Sequence, residues 1–159
     1  MPIAVIGLMR RPAQCLMRGS TLAGMSVMIL SSLDTNHLSA SGYAWYQSYL
    51  EAADAGNVGA MVGFFSEDCV FQNNDNLPIY GREALQAALT QFWNGFRSLE
   101  HEPLRVVGND HHFAIEMLCH YTRNDGKNVI IPCAVFAERN AEGLLSRASV
   151  FHKTSIVFS

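Results

Sequence analysis

Asn73, Asn74, Asp75 and Asn76 interrupt an otherwise apolar stretch, C-V-F-Q-N-N-D-N-L-P-I-Y, and form the densest polar group in the chain. Polar side chains at the end of a core strand either make a turn or rim a site. An amide such as Asn73 can orient a carbonyl, and Asp75 is the nearest carboxylate able to accept a proton. Tyr49, in Y-L-E-A-A-D-A-G-N, carries a phenol that can donate to a carbonyl or enolate oxygen. His152, near the end of the last apolar run, is the strongest acid–base candidate, because imidazole titrates near neutrality. The four cysteines, Cys15, Cys69, Cys119 and Cys133, sit in apolar runs without C-x-x-C spacing. They read as buried free thiols of a reducing compartment, and no zinc pattern accompanies them. No phosphate loop, nucleophile elbow or metal triad is present, so neither metal nor cofactor is expected.

These residues need a scaffold, and the composition bounds it. The chain has 159 residues, 49% hydrophobic and 16% charged, which suits one globular domain with a single core. Net charge is -3, and from Gly42 onward 13 acidic residues face 8 basic ones, which argues against a nucleic-acid partner. Residues 1–33 differ: they contain no acid, three arginines and five of the seven methionines. Their apolar run is too short and interrupted to span a membrane. Residues 1–38 read as an N-terminal extension, either upstream sequence with Met25 as an alternative start or a mitochondrial or secretory targeting segment. The domain is expected over 39–159. The expected location is the cytoplasm, or the mitochondrion or exterior if the leader is a targeting segment.

Helical spacing begins near Ser39 to Gly42: Tyr46, Tyr49, Leu50 and Ala53 share one face, while Gln47, Glu51 and Asp54 share the opposite one. Gly56 stops this helix and Asn57 caps a second, with Val58, Met61, Val62 and Phe65 as its stripe. A strand over Cys69–Asn73 follows, with Cys69, Phe71 and Asn73 on one face. A short extended piece covers Leu77–Tyr80. The third helix starts after Gly81, with Ala84, Leu85, Ala88, Leu89, Phe92 and Trp93 as its apolar stripe. Strands are then expected over Leu104–Val107, Phe113–Thr122, Asn128–Glu138 and Leu144–Lys153. The turn Arg123-Asn124-Asp125-Gly126 closes a hairpin between the middle two. Helices followed by an antiparallel meander predict an α+β architecture, with three helices packed on one strongly curved sheet.

That order resembles the nuclear-transport-factor-2-like (NTF2-like) superfamily, within it the SnoaL-like and ketosteroid-isomerase-like branch, from about Gly42 to Lys153. Its carriers are Y-x-x-A-x-x-A-G-N at Tyr49–Asn57, F-x-E-D-C-V-F at Phe65–Phe71 and Y-G-R-E-A-L-x-x-x-L-x-x-F-W at Tyr80–Trp93. F-A-I-E-M at Phe113–Met117, P-C-A-V-F at Pro132–Phe136 and the last strand complete them. The resemblance implies a cone-shaped fold with an apolar pocket open at one end, and a homodimer. Ketosteroid isomerase uses a carboxylate base with a tyrosine and a protonated aspartic acid as oxyanion donors. By similarity the tyrosine falls on Tyr49, the base on Asn73 and the second donor on Ala134. Two of the three roles therefore lack their chemistry. Limonene-epoxide-hydrolase-like acids would fall on Met117, Cys119 and Val150 and are also absent. Dehydratase relatives that use histidines remain open.

Strand alternation from these matches turns Ile115, Met117 and Cys119 inward, with Ile130, Pro132, Ala134 and Phe136, and with Ala148, Val150 and His152. A small hydrophobic molecule is the expected ligand. The reading is a cofactor-free isomerase, cyclase or dehydratase acting on a hydrophobic carbonyl compound, polyketide or terpenoid in kind. Tyr49 would stabilise charge on oxygen and His152 or Asp75 would move the proton. Asn73 would orient the substrate, with Phe71, Trp93, Met117, Cys119, Ala134, Phe136 and Val150 lining the pocket. The alternative is a binding or dimerisation module whose carboxylates are lost.

Overall fold

The computed structural model describes residues 36–158. The expectations for residues 1–33 and for Cys15 lie outside the described residues. The described part is mixed α+β: three helices pack on one face of a curved sheet of seven strands. The strands are β1 (Asn36–His37), β2 (Phe65–Asn73), β3 (Ile79–Tyr80), β4 (Phe96–Asn109), β5 (His112–Arg123), β6 (Asn128–Arg139) and β7 (Leu145–His152). Their order in the sheet is β1-β4-β5-β6-β7-β2-β3. The helices are α1 (Ala40–Asp54), α2 (Val58–Val62) and α3 (Arg82–Trp93). Strands β4 to β7 form the antiparallel meander, and β2 runs parallel to β7. The sheet takes in Asn36 and His37 through β1, upstream of the expected start of the domain.

Helix α1 begins where Ser39 caps it: the Ser39 hydroxyl oxygen accepts from the Gly42 N–H at 3.0 Å. The Ser39 N–H and hydroxyl in turn donate to the Asp110 carboxylate at 2.8 and 2.6 Å, fixing the helix start to the turn between β4 and β5. Gly56, at φ +63°, takes the left-handed conformation that ends α1. Helix α2 ends at Val62, three residues short of Phe65, the last residue of its expected apolar stripe. Phe65 leaves it to open β2, because Phe65 pairs with Leu145 and the Phe64 carbonyl accepts from the Leu145 N–H at 2.8 Å. Strand β4 is far longer than Leu104–Val107. Irregular register between Phe96 and Ser98 and between Pro103 and Arg105 breaks its alternation, which hides it from a period-2 reading and bends the sheet.

One expectation is reversed. Ile130, Pro132, Ala134 and Phe136 face outward, and Ile131, Cys133, Val135 and Ala137 face the helices. The expected inward set comes from the family match at Ala134, and the observed register, Thr122 with Asn128, is one residue out of step with that match. A one-residue shift moves every side chain of a strand to the other face. Cys133 thus lies opposite Met117, while Ala134 lies opposite the exposed Glu116 and Phe136 is 58% exposed. The core lies between the concave face and the helices, from Tyr46, Leu50 and Leu85 to Ile115, Met117, Tyr121 and Ile131.

Candidate active site

The concave face and the helices enclose a cavity of about 260 Å³. Its walls are mostly apolar: Leu50, Ala53, Leu85, Leu89, Phe92, Ile115, Met117, Val135 and Val150 among others. Asn76 and Leu77, from the turn after β2, also line it, and Leu77 is 89% exposed, so this turn forms the rim. An apolar cleft with few fixed polar groups is the usual form of a small-molecule site.

Its polar groups come from both layers, Tyr46, Tyr49 and Trp93 from the helices and Asn73, His101 and His152 from the strands. His101 on β4 lines the cavity, and its Nδ1 lies 2.5 Å from Asp54 Oδ1 at the end of α1. The His101 backbone N–H donates to the same oxygen at 3.1 Å. A carboxylate at a helix C-terminus meets the negative end of the helix dipole, so two donors on one oxygen are what hold Asp54 there. With Nδ1–H donating to Asp54, the tautomer is set and the Nε2 lone pair is left for the cavity. The side chains are 15% and 31% exposed, which keeps the pair shielded without isolating it from solvent.

Five side-chain atoms are buried without a hydrogen-bond partner among the described residues: Ser66 Oγ and Arg82 Nε away from the cavity, and Tyr46 Oη, Trp93 Nε1 and His152 Nδ1 on residues that line it. Leaving one such group unpaired costs about 1–3 kcal/mol, so the grouping of Tyr46, Trp93 and His152 at one cavity points to a polar ligand atom. Burial raises the Tyr46 phenol well above its ordinary range, and the neighbouring Tyr49 adds to the shift. Burial likewise pushes Tyr49 up to about 12. Both stay neutral donors near pH 7.

His152 is held at its other nitrogen and through its backbone. Its Nε2 lies 3.1 Å from Asn73 Oδ1, and its N–H donates to Asn74 Oδ1 at 2.9 Å. Asn74 has φ +52°, a left-handed conformation asparagine tolerates, and its own N–H donates to the Val150 carbonyl. The turn after β2 is thus clamped on the end of β7.

Of the residues singled out from sequence, Tyr49, Phe71, Asn73, Trp93, Met117, Cys119, Val150 and His152 line the cavity. Asp75 does not: it is exposed and lies outside the cavity lining. Ala134 and Phe136 lie on the convex side, for the register reason given above. His101 and Asp54 were not singled out. Asp54 follows the solvated stripe of α1, and His101 sits in the irregular half of β4. Tyr46 reads from sequence only as part of the helix stripe. Its spacing from Tyr49, Leu50 and Ala53 is the one signal that could have flagged it.

A family model for the SnoaL-like domain matches residues 46–148, most of the described chain. The chain belongs to the SnoaL-like family. Solved structures agree on the fold. A protein assigned as a polyketide cyclase from Xanthomonas campestris pv. campestris is 20% identical, with a TM-score of 0.66 over 74% of this chain and 96% of that one. A protein assigned as a SnoaL-like polyketide cyclase from Shewanella denitrificans OS-217 is 12% identical, with a TM-score of 0.64 over 72% and 92%. SalBIII, described as an epoxide hydrolase/cyclase-like enzyme in pyran ring formation in the polyether salinomycin, is 18% identical, with a TM-score of 0.63 over 72% and 92%. No curated protein matches the chain. No described helix is long and apolar enough to cross a membrane.

Proposed function

We propose that this SnoaL-like chain is a cofactor-free enzyme that moves a proton on a hydrophobic carbonyl compound, leading to isomerisation, cyclisation or dehydration of a polyketide- or terpenoid-like metabolite. The Asp54–His101 pair opening onto an apolar cavity carries this reading. His101 Nε2 removes a proton next to the carbonyl, and Asp54 stabilises the imidazolium that forms. Charge then develops on the carbonyl oxygen. The phenol of Tyr46 and the indole N–H of Trp93 are donors without partners among the described residues, suited to that oxygen. Tyr49 lies one helical turn along and keeps its proton, so it can serve the same end. His152 is the second imidazole able to carry a proton in the cavity. Asp75 has no part in it.

The volume suits a ring system of two or three fused rings more than an open polyketide chain, lying just below the roughly 300–1,000 Å³ typical of ligand pockets. The bicyclic ketone 2-tetralone is therefore a fitting probe. In deuterated water, the wild-type chain should catalyse exchange of the protons beside its carbonyl. Stabilisation of the fold by the ketone without exchange would instead mark a binding module.

The same reading carries a homodimer through the convex face of the sheet. Ile130, Phe136 and Phe151 are 57%, 58% and 47% exposed there, and the Phe136 and Phe151 rings meet edge to face at 6.0 Å. Large apolar side chains grouped on a sheet face mark an association surface.

A further inference from the structure

We propose that Cys133, His152 and Asn73 form a second reactive centre in the cavity, in which the Cys133 thiol adds covalently to the β-carbon of an α,β-unsaturated carbonyl compound. The proton-transfer reading uses His152 only as a second proton carrier and leaves unexplained the two thiols on the cavity wall, while the buried Nδ1 of His152 has no partner among the described residues. Their arrangement has a direction. Asn73 Oδ1 accepts from His152 Nε2–H at 3.1 Å, which fixes the tautomer and leaves Nδ1 as a lone pair. Cys133 stands directly opposite His152 in the β6–β7 register. Directly opposed residues share a face with Cβ atoms about 4.5–5.5 Å apart, and both of these side chains line the cavity. A thiol, a base set by its other nitrogen and an orienting amide are the three parts of an activated cysteine.

The neighbours strengthen the assignment. Hydrogen bonding from the Cys119 thiol, first, lowers Cys133 below an ordinary thiol, against the opposing effect of burial, and the proximity of the His152 ring adds to it. Cys119 is raised by the same contact and by burial, so it holds its proton for its neighbour. Cys69 is raised by burial, lies away from the cavity wall and has no histidine beside it, so it reads as packing. Among the described residues no three His, Cys, Asp or Glu side chains are placed to hold a metal ion.

The step balances without a co-reactant. Nδ1 of His152 takes the Cys133 proton, and the thiolate forms a C–S bond to the β-carbon. The C=C π bond breaks and its pair passes to the carbonyl oxygen as an enolate. The Nδ1–H then returns the proton to the α-carbon, giving a thioether adduct and neutral imidazole. Reversal releases the enone. Its substrate class is thus an electron-poor alkene conjugated to a carbonyl, a compound the apolar walls also accept.

The test is peptide-resolved mass spectrometry on the full folded chain, treated with cyclohex-2-enone or iodoacetamide between about pH 6 and 8. Cys133 should take the first adduct from both reagents. Its rate should rise less steeply with pH over that range than that of an ordinary thiol, because its pKa is lowered. In His152→Gln the rate should be lower and climb more steeply with pH than in wild type, because the imidazole base is lost while the Cys119 hydrogen bond stays. Asn73→Ala should fall between the two. First labelling at Cys119 or Cys69, the same steep climb in wild type as in His152→Gln, or an adduct with iodoacetamide but none with the enone would each overturn the proposal. The readout is mass on a named cysteine and needs no turnover. A missing adduct leaves the role of His101 standing, and loss of deuterium exchange leaves this centre standing.

Discussion

At the scale of single residues, the cavity is defined by polar atoms that the fold leaves without partners. Tyr46 is the clearest case, because its hydroxyl is buried and bonds to nothing among the described residues. Removing an unsatisfied buried hydroxyl should not weaken the empty fold, since no hydrogen bond is lost with it. Tyr46→Phe is therefore expected to melt at the same temperature as wild type or slightly higher, a gain of up to about 1 kcal/mol. Its affinity for 2-tetralone should fall about tenfold, the worth of one buried hydrogen bond to the ligand. Calorimetric melting and ligand titration check both halves, and a loss of stability would show that the hydroxyl serves the fold. Tyr49, Asn73 and His152 could be placed in the cavity from sequence because they sit on regular elements whose period shows their face. Asp54 and His101 could not. Their pairing joins residues 47 positions apart, and neither lies on an unbroken apolar stripe.

At the scale of elements, the three helices and the meander were legible because their apolar periods are long and bounded by Gly56, Gly81 and Gly126. The face of β6 follows from the pairing of Thr122 with Asn128, which turns Cys133 and not Ala134 toward the ligand, whereas the family match at Ala134 points one residue away from that register. The turn between β4 and β5 is similarly exacting. Gly108 has φ +121°, and a Cβ there would stand 2.2 Å from the His112 carbonyl oxygen, a backbone atom that cannot rotate away. Gly108→Ala should cost about 2–4 kcal/mol, from the unfavourable backbone conformation plus the clash. Urea unfolding measures this directly. A cost under about 0.5 kcal/mol, the scale of a neutral surface change, would mean the turn yields and does not pin Asp110 beneath the start of α1.

At the scale of the whole molecule, the sheet has two unlike faces. The concave face carries the cavity and its polar groups, and the convex face presents Ile130, Phe136 and Phe151. The chain should sediment as a dimer, and Phe136→Glu should convert it to a monomer, because a charge at the centre of an apolar interface must lose its water. A wild-type monomer at tens of micromolar or above would remove the dimer from the account. The central claim concerns the concave face, that His101 held by Asp54 is a base inside an apolar cavity. The direct measurement is deuterium exchange beside the carbonyl of 2-tetralone, followed by NMR for wild type, His101→Gln and Asp54→Asn. The account predicts exchange by wild type, a loss of roughly 10²–10⁴-fold in His101→Gln and a smaller loss in Asp54→Asn. Equal exchange by wild type and His101→Gln, with both chains folded, would contradict it.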